Sequence, residues 1–327
     1  MFTNTDLMLM AVQAGDKARY LAPPNPWVGA LVVGERGVVI AEGHTQVPGE
    51  AHAEIAALRR AGERALGATL VVTLEPCCHV GRTGPCTDAI IKAGISRVVV
   101  GTIDPDSRVS GQGIALLRAS GIDVEVGIEE DVVRAQLAPY LWHRVTGRPY
   151  VVAKIASTLD GVVAMADGTS KWITGEPARL DAHVVRAQSQ AIIVGAGTVR
   201  SDDPRLTARL DDIILEPLRV VLGHAPENAR VRPCLERTGD LGFILDELAH
   251  HDVIQVLVEG GPTTMSSFFA AGLVNHVVWY QAAAFAGAEG TAGALRSLST
   301  STIGQLRRGR LVDVRRIGED IRIDVEV

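Results

Sequence analysis

TLVVTLEPCCHVGRTGPCTDAIIK, residues 69–92, decides the architecture of the first half of the chain. Residues 69–74 are apolar or β-branched and stop at Glu75-Pro76, the length and composition of a buried strand. Pro85 then opens a helical pattern, a position where its missing N–H costs nothing. A cysteine-bearing loop joins the two. Upstream, a helix is expected from His52, strands at 29–33 and 38–42, and an amphipathic opening helix. Leu7, Met10, Ala11, Ala14, Ala18 and Leu21 keep helical spacing there, with caps at 3–6 and a stop at Pro23-Pro24. Downstream come a strand at 97–102, a helix near 113–120 and a last helix over about 129–143. Strands and helices in alternation predict a mixed α/β sandwich.

The turn-forming Thr146-Gly147-Arg148-Pro149 precedes a new apolar run, so the domain boundary falls there, giving 1–147 and 148–327. The total of 327 residues suits two domains at roughly 150 each. The second half is also α/β, with strands expected at 150–155, 191–194, 218–222, 253–259 and 276–280. It closes on an antiparallel hairpin: 311–317, a Gly318-Glu319-Asp320 turn, then Ile321, Ile323, Val325 and Val327 alternating with Arg322, Asp324 and Glu326. That alternation gives the hairpin one polar face.

Hydrophobic residues are 47% and charged residues 21% of the chain, enough for two cores and unlike a disordered chain. A net charge of −6 lacks the basic excess that draws proteins onto nucleic acid or anionic membrane, so neither partner is expected. No apolar run reaches the roughly 18 residues of a membrane span. Residues 1–6 place no basic residue ahead of the short apolar stretch 7–12, unlike a signal peptide, so the expected compartment is the cytoplasm. Four cysteines, three of them close together, suit metal binding better than a disulfide scaffold.

The strongest chemical signal is His52-Ala53-Glu54 with Pro76-Cys77 and Pro85-Cys86. One imidazole and two thiolates fill three tetrahedral positions on Zn²⁺ and leave the fourth to water, whose pKa falls toward about 7. Glu54, beside the metal but not bound to it, is the base that takes the water's proton and returns it to a leaving amine. His-x-Glu with Pro-Cys is a zinc-deaminase signature. The loop between Cys77 and Cys86 is longer than the usual two residues and carries His79, Arg82 and Thr83, with Arg82 suited to phosphate. The bland alternative is a closed structural site of Cys77, Cys78, His79 and Cys86, with His52 and Glu54 as ordinary helix residues. Adjacent residues of an extended segment point opposite ways, which leaves Cys78 a spectator, and Cys234 reads as packing or surface. Asn25 and His44, on turn-rich segments, are either plain loop residues or hydrogen-bonding partners of a base edge.

In the second half, Gly195-Ala196-Gly197 lacks the last glycine of a dinucleotide fingerprint. Either it forms a tight turn or, with Gly260-Gly261, it admits phosphate oxygens close to the backbone.

Taken together, the chain resembles the bacterial bifunctional riboflavin-biosynthesis deaminase/reductase family. The likeness rests on Pro24-Asn25-Pro26, Val28-Gly29, His52-Ala53-Glu54, the segment from Thr73 through Cys86, and Asp104-Pro105. In the second half it rests on residues 154–161, Trp172-Ile173-Thr174, the segment from Gly195 through Thr207, and Glu259-Gly260-Gly261-Pro262. It implies a cytidine-deaminase-like three-layer α/β/α domain that deaminates a diaminopyrimidinone carrying a ribosylamino phosphate. A dihydrofolate-reductase-like α/β domain then uses NADPH to reduce the ribosyl chain to ribityl. By matching position, it implies Asn25, His44, His79 and Arg82 as deaminase substrate contacts. Ala156, Trp172, Thr198, Asp202 and the stretch from Gly261, Pro262 and Thr263 to Ser267 become NADPH contacts. Ser170, Arg186, Leu206, Arg209 and Glu259 become reductase substrate contacts. A homo-oligomer is a further implication.

Three departures bear on the reductase. Gly223-His224 stands where many members have Asp-Ser, the segment 226–240 is short with no strand pattern, and 282–287 replaces an Ala-Pro-Lys loop. A missing strand near Cys234 is expected from the second. Beside the two-step enzyme stand three other readings: a deaminase with a non-catalytic nucleotide-binding second half, a nucleic-acid-editing deaminase, and a zinc-stabilised binding protein. An editing deaminase needs a basic, aromatic-lined groove, against 4% aromatics here.

Overall fold

The first helix, α1 (Asn4–Asp16), begins in a capping box: Thr3 Oγ1 accepts from the Asp6 amide at 3.1 Å while the Asp6 carboxylate accepts from the Thr3 amide at 2.8 Å. The computed structural model describes residues 2–80, 84–210, 213–287, 289, 291–296 and 300–327, in two units, Met1–Gly147 and Arg148–Val327.

The first unit continues through β1 (Gly29–Val33), β2 (Val39–His44), α2 (Ala53–Ala61), β3 (Thr69–Leu74), α3 (Cys86–Lys92), β4 (Arg97–Thr102), α4 (Gln112–Ala119), β5 (Asp123–Val126), α5 (Glu130–Gln136) and α6 (Ala138–Thr146). Its sheet runs β2-β1-β3-β4-β5; β1 is antiparallel to both neighbours, and β3, β4 and β5 are parallel. Every residue of β1 is buried, and nearly every residue of β3 and β4, so helices cover both sheet faces in three layers. Gly43 in β2 fixes the metal-side helix: a Cβ there would lie 2.3 Å from the Ala53 carbonyl oxygen, so only glycine lets α2 seat against the strand. The single helix expected over 129–143 is instead two, α5 and α6. They part at Leu137, because Pro139 in the first turn of α6 has no N–H to continue the ladder. The short β5 was not anticipated.

The second unit comprises β6 (Tyr150–Thr158), β7 (Val162–Ala164), α7 (Glu176–Ala187), β8 (Ala191–Gly195), α8 (Ala196–Asp202), β9 (Ala208–Leu210), β10 (Ile213–Leu215), β11 (Leu218–Leu222), β12 (Leu235–Arg237), α9 (Leu241–Ala249), β13 (Gln255–Val258), α10 (Pro262–Ala270), β14 (His276–Ala282), β15 (Ala292–Gly293), β16 (Arg310–Ile317) and β17 (Asp320–Glu326). Its main sheet runs β12-β11-β8-β13-β6-β14-β17-β16, parallel from β12 to β14 and antiparallel beyond. Ile193, Val256, Val258, Leu245, Met265 and Phe268 centre its core.

One expectation is corrected here. The strand thought missing near Cys234 is present as β12, paired with β11. It is held by backbone pairing and by Glu236, which accepts from the Ala225 amide at 3.1 Å and from Arg232 at 2.5 Å, none of which leaves a hydrophobic pattern. Both faces of the terminal hairpin are partly covered: Asp320 and Asp324 are buried and Val325 packs against the core, whereas Leu311, Val314 and Ile321 are exposed. Asp324 is paired with Arg322 at 2.7 Å and His276 at 2.9 Å, and Asp320 accepts from the Gly175 amide at 2.7 Å, so burial leaves neither carboxylate unpartnered.

Candidate active sites

In the first unit His52 is the N-cap of α2, Cys86 is the first residue of α3, and Cys77 lies in the loop leaving β3. Three elements thus deliver one donor each. His52 Nδ1 stands 3.5 Å from Cys77 Sγ and 3.3 Å from Cys86 Sγ, and the Cys86 amide donates to Cys77 Sγ at 3.4 Å. All three donor atoms lie within 4.8 Å of one another, the one such cluster among the described residues. Hydrogen bonding from Cys86 and from His52 draws the Cys77 thiol down to about 4, although burial opposes it. One nitrogen and two sulfurs in this spacing fit a tetrahedral Zn²⁺ with one position open. Cys78 turns away, its Sγ 3.7 Å from the Arg108 carbonyl oxygen.

Glu54 sits in the first turn of α2 and is 4% exposed. Burial, then the Cys77 charge, push its carboxyl up to about 7. Such a group is poised to take and give a proton near neutrality. His44 ends β2 directly after Gly43, and His79 follows Cys77 in the loop; Nδ1 of each is buried without a hydrogen-bond partner among the described residues. Asn25 is half-buried in the turn before β1, its amide donating to the Ala22 carbonyl. Arg82 and Thr83 lie outside the described residues.

Glu75, between the apolar strand and Pro76-Cys77, has a task that the motif does not reveal. Its buried carboxylate accepts from the amides of Gly111 at 2.9 Å, Ile114 at 3.2 Å and Asp104 at 3.4 Å, tying the start of the Cys77 loop to the first turn of α4. A charged residue between an apolar strand and Pro-Cys was the available signal. Glu75→Gln turns amide donors toward backbone donors, so the first unit is expected to lose about 2–3 kcal/mol and to hold zinc more weakly. Urea midpoints and chelator competition read both; unchanged values would remove Glu75 from this part.

The second unit holds a cavity of about 1130 Å³. Of the residues assigned to the second half by resemblance, Ala156, Ser170, Trp172, Arg186, Thr198, Asp202, Leu206, Arg209, Glu259 and the stretch from Gly261, Pro262 and Thr263 to Met265 line it, whereas Ser266 and Ser267 do not. Trp172 is 70% exposed, which excludes a core role, and the Arg179 guanidinium lies 4.6 Å from its ring centre. The glycines divide by task. A Cβ on Gly195 would stand 2.5 Å from Thr264 Oγ1 and one on Gly260 2.5 Å from Thr264 Cβ, so these two make room for a side chain of the protein itself. Gly197 has open space around it, and the Gly261 amide donates to Thr198 Oγ1 at 3.1 Å. Glu259, at the end of β13, accepts from Arg186 at 2.5 and 2.8 Å. Burial favours its neutral acid, but the Arg186 charge and hydrogen bonds prevail and hold the carboxyl down at about 2. Burial lowers the pKa of Lys154, which faces the Tyr280 ring at 5.9 Å. The 282–287 loop is tied down through its backbone: Asp160 accepts from the amides of Ala286 at 3.2 Å and Gly287 at 2.8 Å, which any residue but proline there would offer. His224 is exposed and pairs with Glu236 at 3.0 Å.

Residues 1–102 match the cytidine and deoxycytidylate deaminase zinc-binding region, and residues 149–323 match the RibD C-terminal domain. The chain is 42% identical to the riboflavin biosynthesis protein RibD of Chlamydia trachomatis serovar D, over 90% of this chain and 88% of that one. It belongs to the RibD family. Among solved RibD structures, that from Acinetobacter baumannii superposes with a TM-score of 0.91 at 36% identity, covering 99% of this chain and 98% of that one. The Thermotoga maritima diaminohydroxyphosphoribosylaminopyrimidine deaminase/5-amino-6-(5-phosphoribosylamino)uracil reductase gives 0.88 at 34% identity, with the same coverage. As in the RibD family, the first unit is a cytidine-deaminase-like, zinc-binding domain and the second a dihydrofolate-reductase-like domain that uses NADPH.

Proposed function

We propose that this chain carries out both steps of the RibD reaction: hydrolytic deamination of 2,5-diamino-6-(ribosylamino)-4(3H)-pyrimidinone 5′-phosphate in residues 1–147, then reduction of the ribosyl side chain in residues 148–327. The observation that carries it is the meeting of His52, Cys77 and Cys86 beside buried Glu54 in a chain whose other unit encloses the cavity described above. His52, Cys77 and Cys86 hold Zn²⁺, which supplies Lewis-acid activation of water. Glu54 accepts a proton from the attacking water and donates it to the amine nitrogen, so that ammonia leaves and a carbonyl oxygen replaces it. Asn25, His44, His79 and Arg82 orient the pyrimidine and its phosphate. In the second unit NADPH supplies a hydride. Thr198, Asp202, Trp172, Ala156 and the start of α10 position the cofactor, while Ser170, Arg186, Leu206, Arg209 and Glu259 position the sugar and phosphate. Of the three departures only Arg230 lines this cavity, which favours two active halves over one.

The test is a coupled assay on the full chain: ammonia release from the diaminopyrimidinone phosphate, then NADPH oxidation. Both signals are expected, and chelation of zinc is expected to stop the first while reduction of supplied deaminated product continues. Ammonia without NADPH oxidation would confine the proposal to the first unit.

A homo-oligomer and a cytoplasmic location belong to the same proposal. The exposed apolar side chains Leu311, Val312 and Val314 on the edge strand β16 support the first. The four free cysteines, two of them metal donors, suit a reducing compartment. No helix among the described residues is long and apolar enough to cross a membrane, and the acidic net charge argues against nucleic acid. Light scattering is expected to report a mass above 34.7 kDa, falling to the monomer value in Val314→Lys; a monomeric unaltered protein would overturn the oligomer. Cell fractionation tests the location.

A further inference from the structure

Six arginines line the cavity of the second unit, and the charges of two of them, Arg186 and Arg209, are held in different ways. Arg186 is committed to Glu259 through both carboxylate oxygens. Arg209, on β9, has neutral partners: its guanidinium donates to Thr207 Oγ1 at 2.7 Å and to His183 Nε2 at 2.9 Å. No carboxylate pairs with Arg209 among the described residues, and burial, then the charges of Arg186, Arg205 and Arg230, lower its pKa.

His183 comes from α7, one turn before Arg186, and is 9% exposed. Two donors of Arg209 approach the ring, the guanidinium at Nε2 (2.9 Å) and the backbone N–H at Nδ1 (3.3 Å), and a neutral imidazole has one lone pair to offer; the shorter contact takes it, so Nε2 accepts from the guanidinium, Nδ1 keeps the ring's proton and the longer approach is a contact only. A doubly protonated ring would have no lone pair for Arg209. Burial, then the charges of Arg186 and Arg209, hold the pKa of His183 down at about 4, which keeps the ring neutral at physiological pH. A carboxylate at this position would grip Arg209 equally well, but it would cancel the charge and repel an incoming anion.

We propose that His183 is a positioning residue of the reductase site: as a neutral acceptor it aims Arg209 into the cavity with its charge intact, so that Arg209 meets the substrate's phosphate monoester while Arg186 orients Glu259. This rests on the reading that the substrate carries a phosphate. The role needs an acceptor without charge, which separates it from mere packing.

The experiment measures calorimetric binding of ribose 5-phosphate and of ribose to the zinc-loaded full chain, unaltered and as His183→Phe, His183→Gln and His183→Glu. The unaltered protein is expected to bind the phosphate ester and not ribose. H183F should weaken that binding about 10-fold, H183Q should restore it to within about 2-fold, and H183E should weaken it more than H183F. With full substrate, H183F should raise KM about 10-fold and leave kcat and ammonia release unchanged. Unaltered affinity in H183F overturns the proposal, and so does H183Q binding as weakly as H183F, or H183E binding as tightly as the unaltered chain. If the unaltered chain oxidises no NADPH yet the binding series holds, the two-step function fails and the positioning role stands.

Discussion

Glu54→Gln is expected to cut ammonia release by about 1,000-fold. The substitution keeps the shape of a side chain that is 4% exposed and removes the one group placed to carry a proton from water to the leaving amine. The donors His52, Cys77 and Cys86 are untouched, so zinc content should equal that of the unaltered protein. NADPH-dependent reduction of supplied deaminated product should also be unchanged, because residue 54 belongs to the first unit. Zinc by metal analysis, ammonia release and NADPH oxidation on one preparation test all three statements. Equal ammonia release in the two proteins would end the case for Glu54 as the base. Loss of zinc together with activity would mean that Glu54 acts by holding the donors in place.

Glu259→Gln is expected to destabilise the second unit by about 3–5 kcal/mol. The ion pair with Arg186 is largely buried, with side-chain exposures of 9% for Glu259 and 18% for Arg186. Removing one charge leaves the other guanidinium desolvated with no carboxylate to answer it. The pH dependence has a definite sign. Glu259 is held at about 2 in the folded chain against an ordinary 4.5, so the folded state binds fewer protons there than the unfolded state. Its stabilisation is therefore complete above about pH 4.5, declines as pH falls below that and is gone below about pH 2. Urea unfolding followed from pH 7 down to pH 3 should show the gap between the two proteins narrowing as acid is added. A constant gap would mean that Glu259 contributes through packing and not through its charge.

Much of the first unit was legible because its signals are local. The run 69–74 is one strand of one sheet, and the spacing of His52, Cys77 and Cys86 around it follows from a helix start, a strand end and another helix start. The helix break at Leu137 was less visible, because Ala, Tyr and Leu around Pro139 continue an apolar period that only the missing N–H interrupts. Glu75 shows the limit more clearly. Its value lies in three amides drawn from residues 104–114, and nothing in the neighbouring sequence states that they will arrive.

In the second unit the sequence by itself determined an α/β order, a closing hairpin and the residues that resemble a reductase's site. Those readings depend on hydrophobic period and on motifs, both of which are properties of short stretches. Only the tertiary structure decided that Gly195 and Gly260 serve Thr264 and that a three-residue strand completes the sheet edge. It alone buried Asp320 and Asp324 of the hairpin, and it alone gave Arg186 a carboxylate partner while Arg209 has neutral ones. Each of these is a choice among partners distant in the chain, settled by which buried charge and which close approach the packed fold could satisfy.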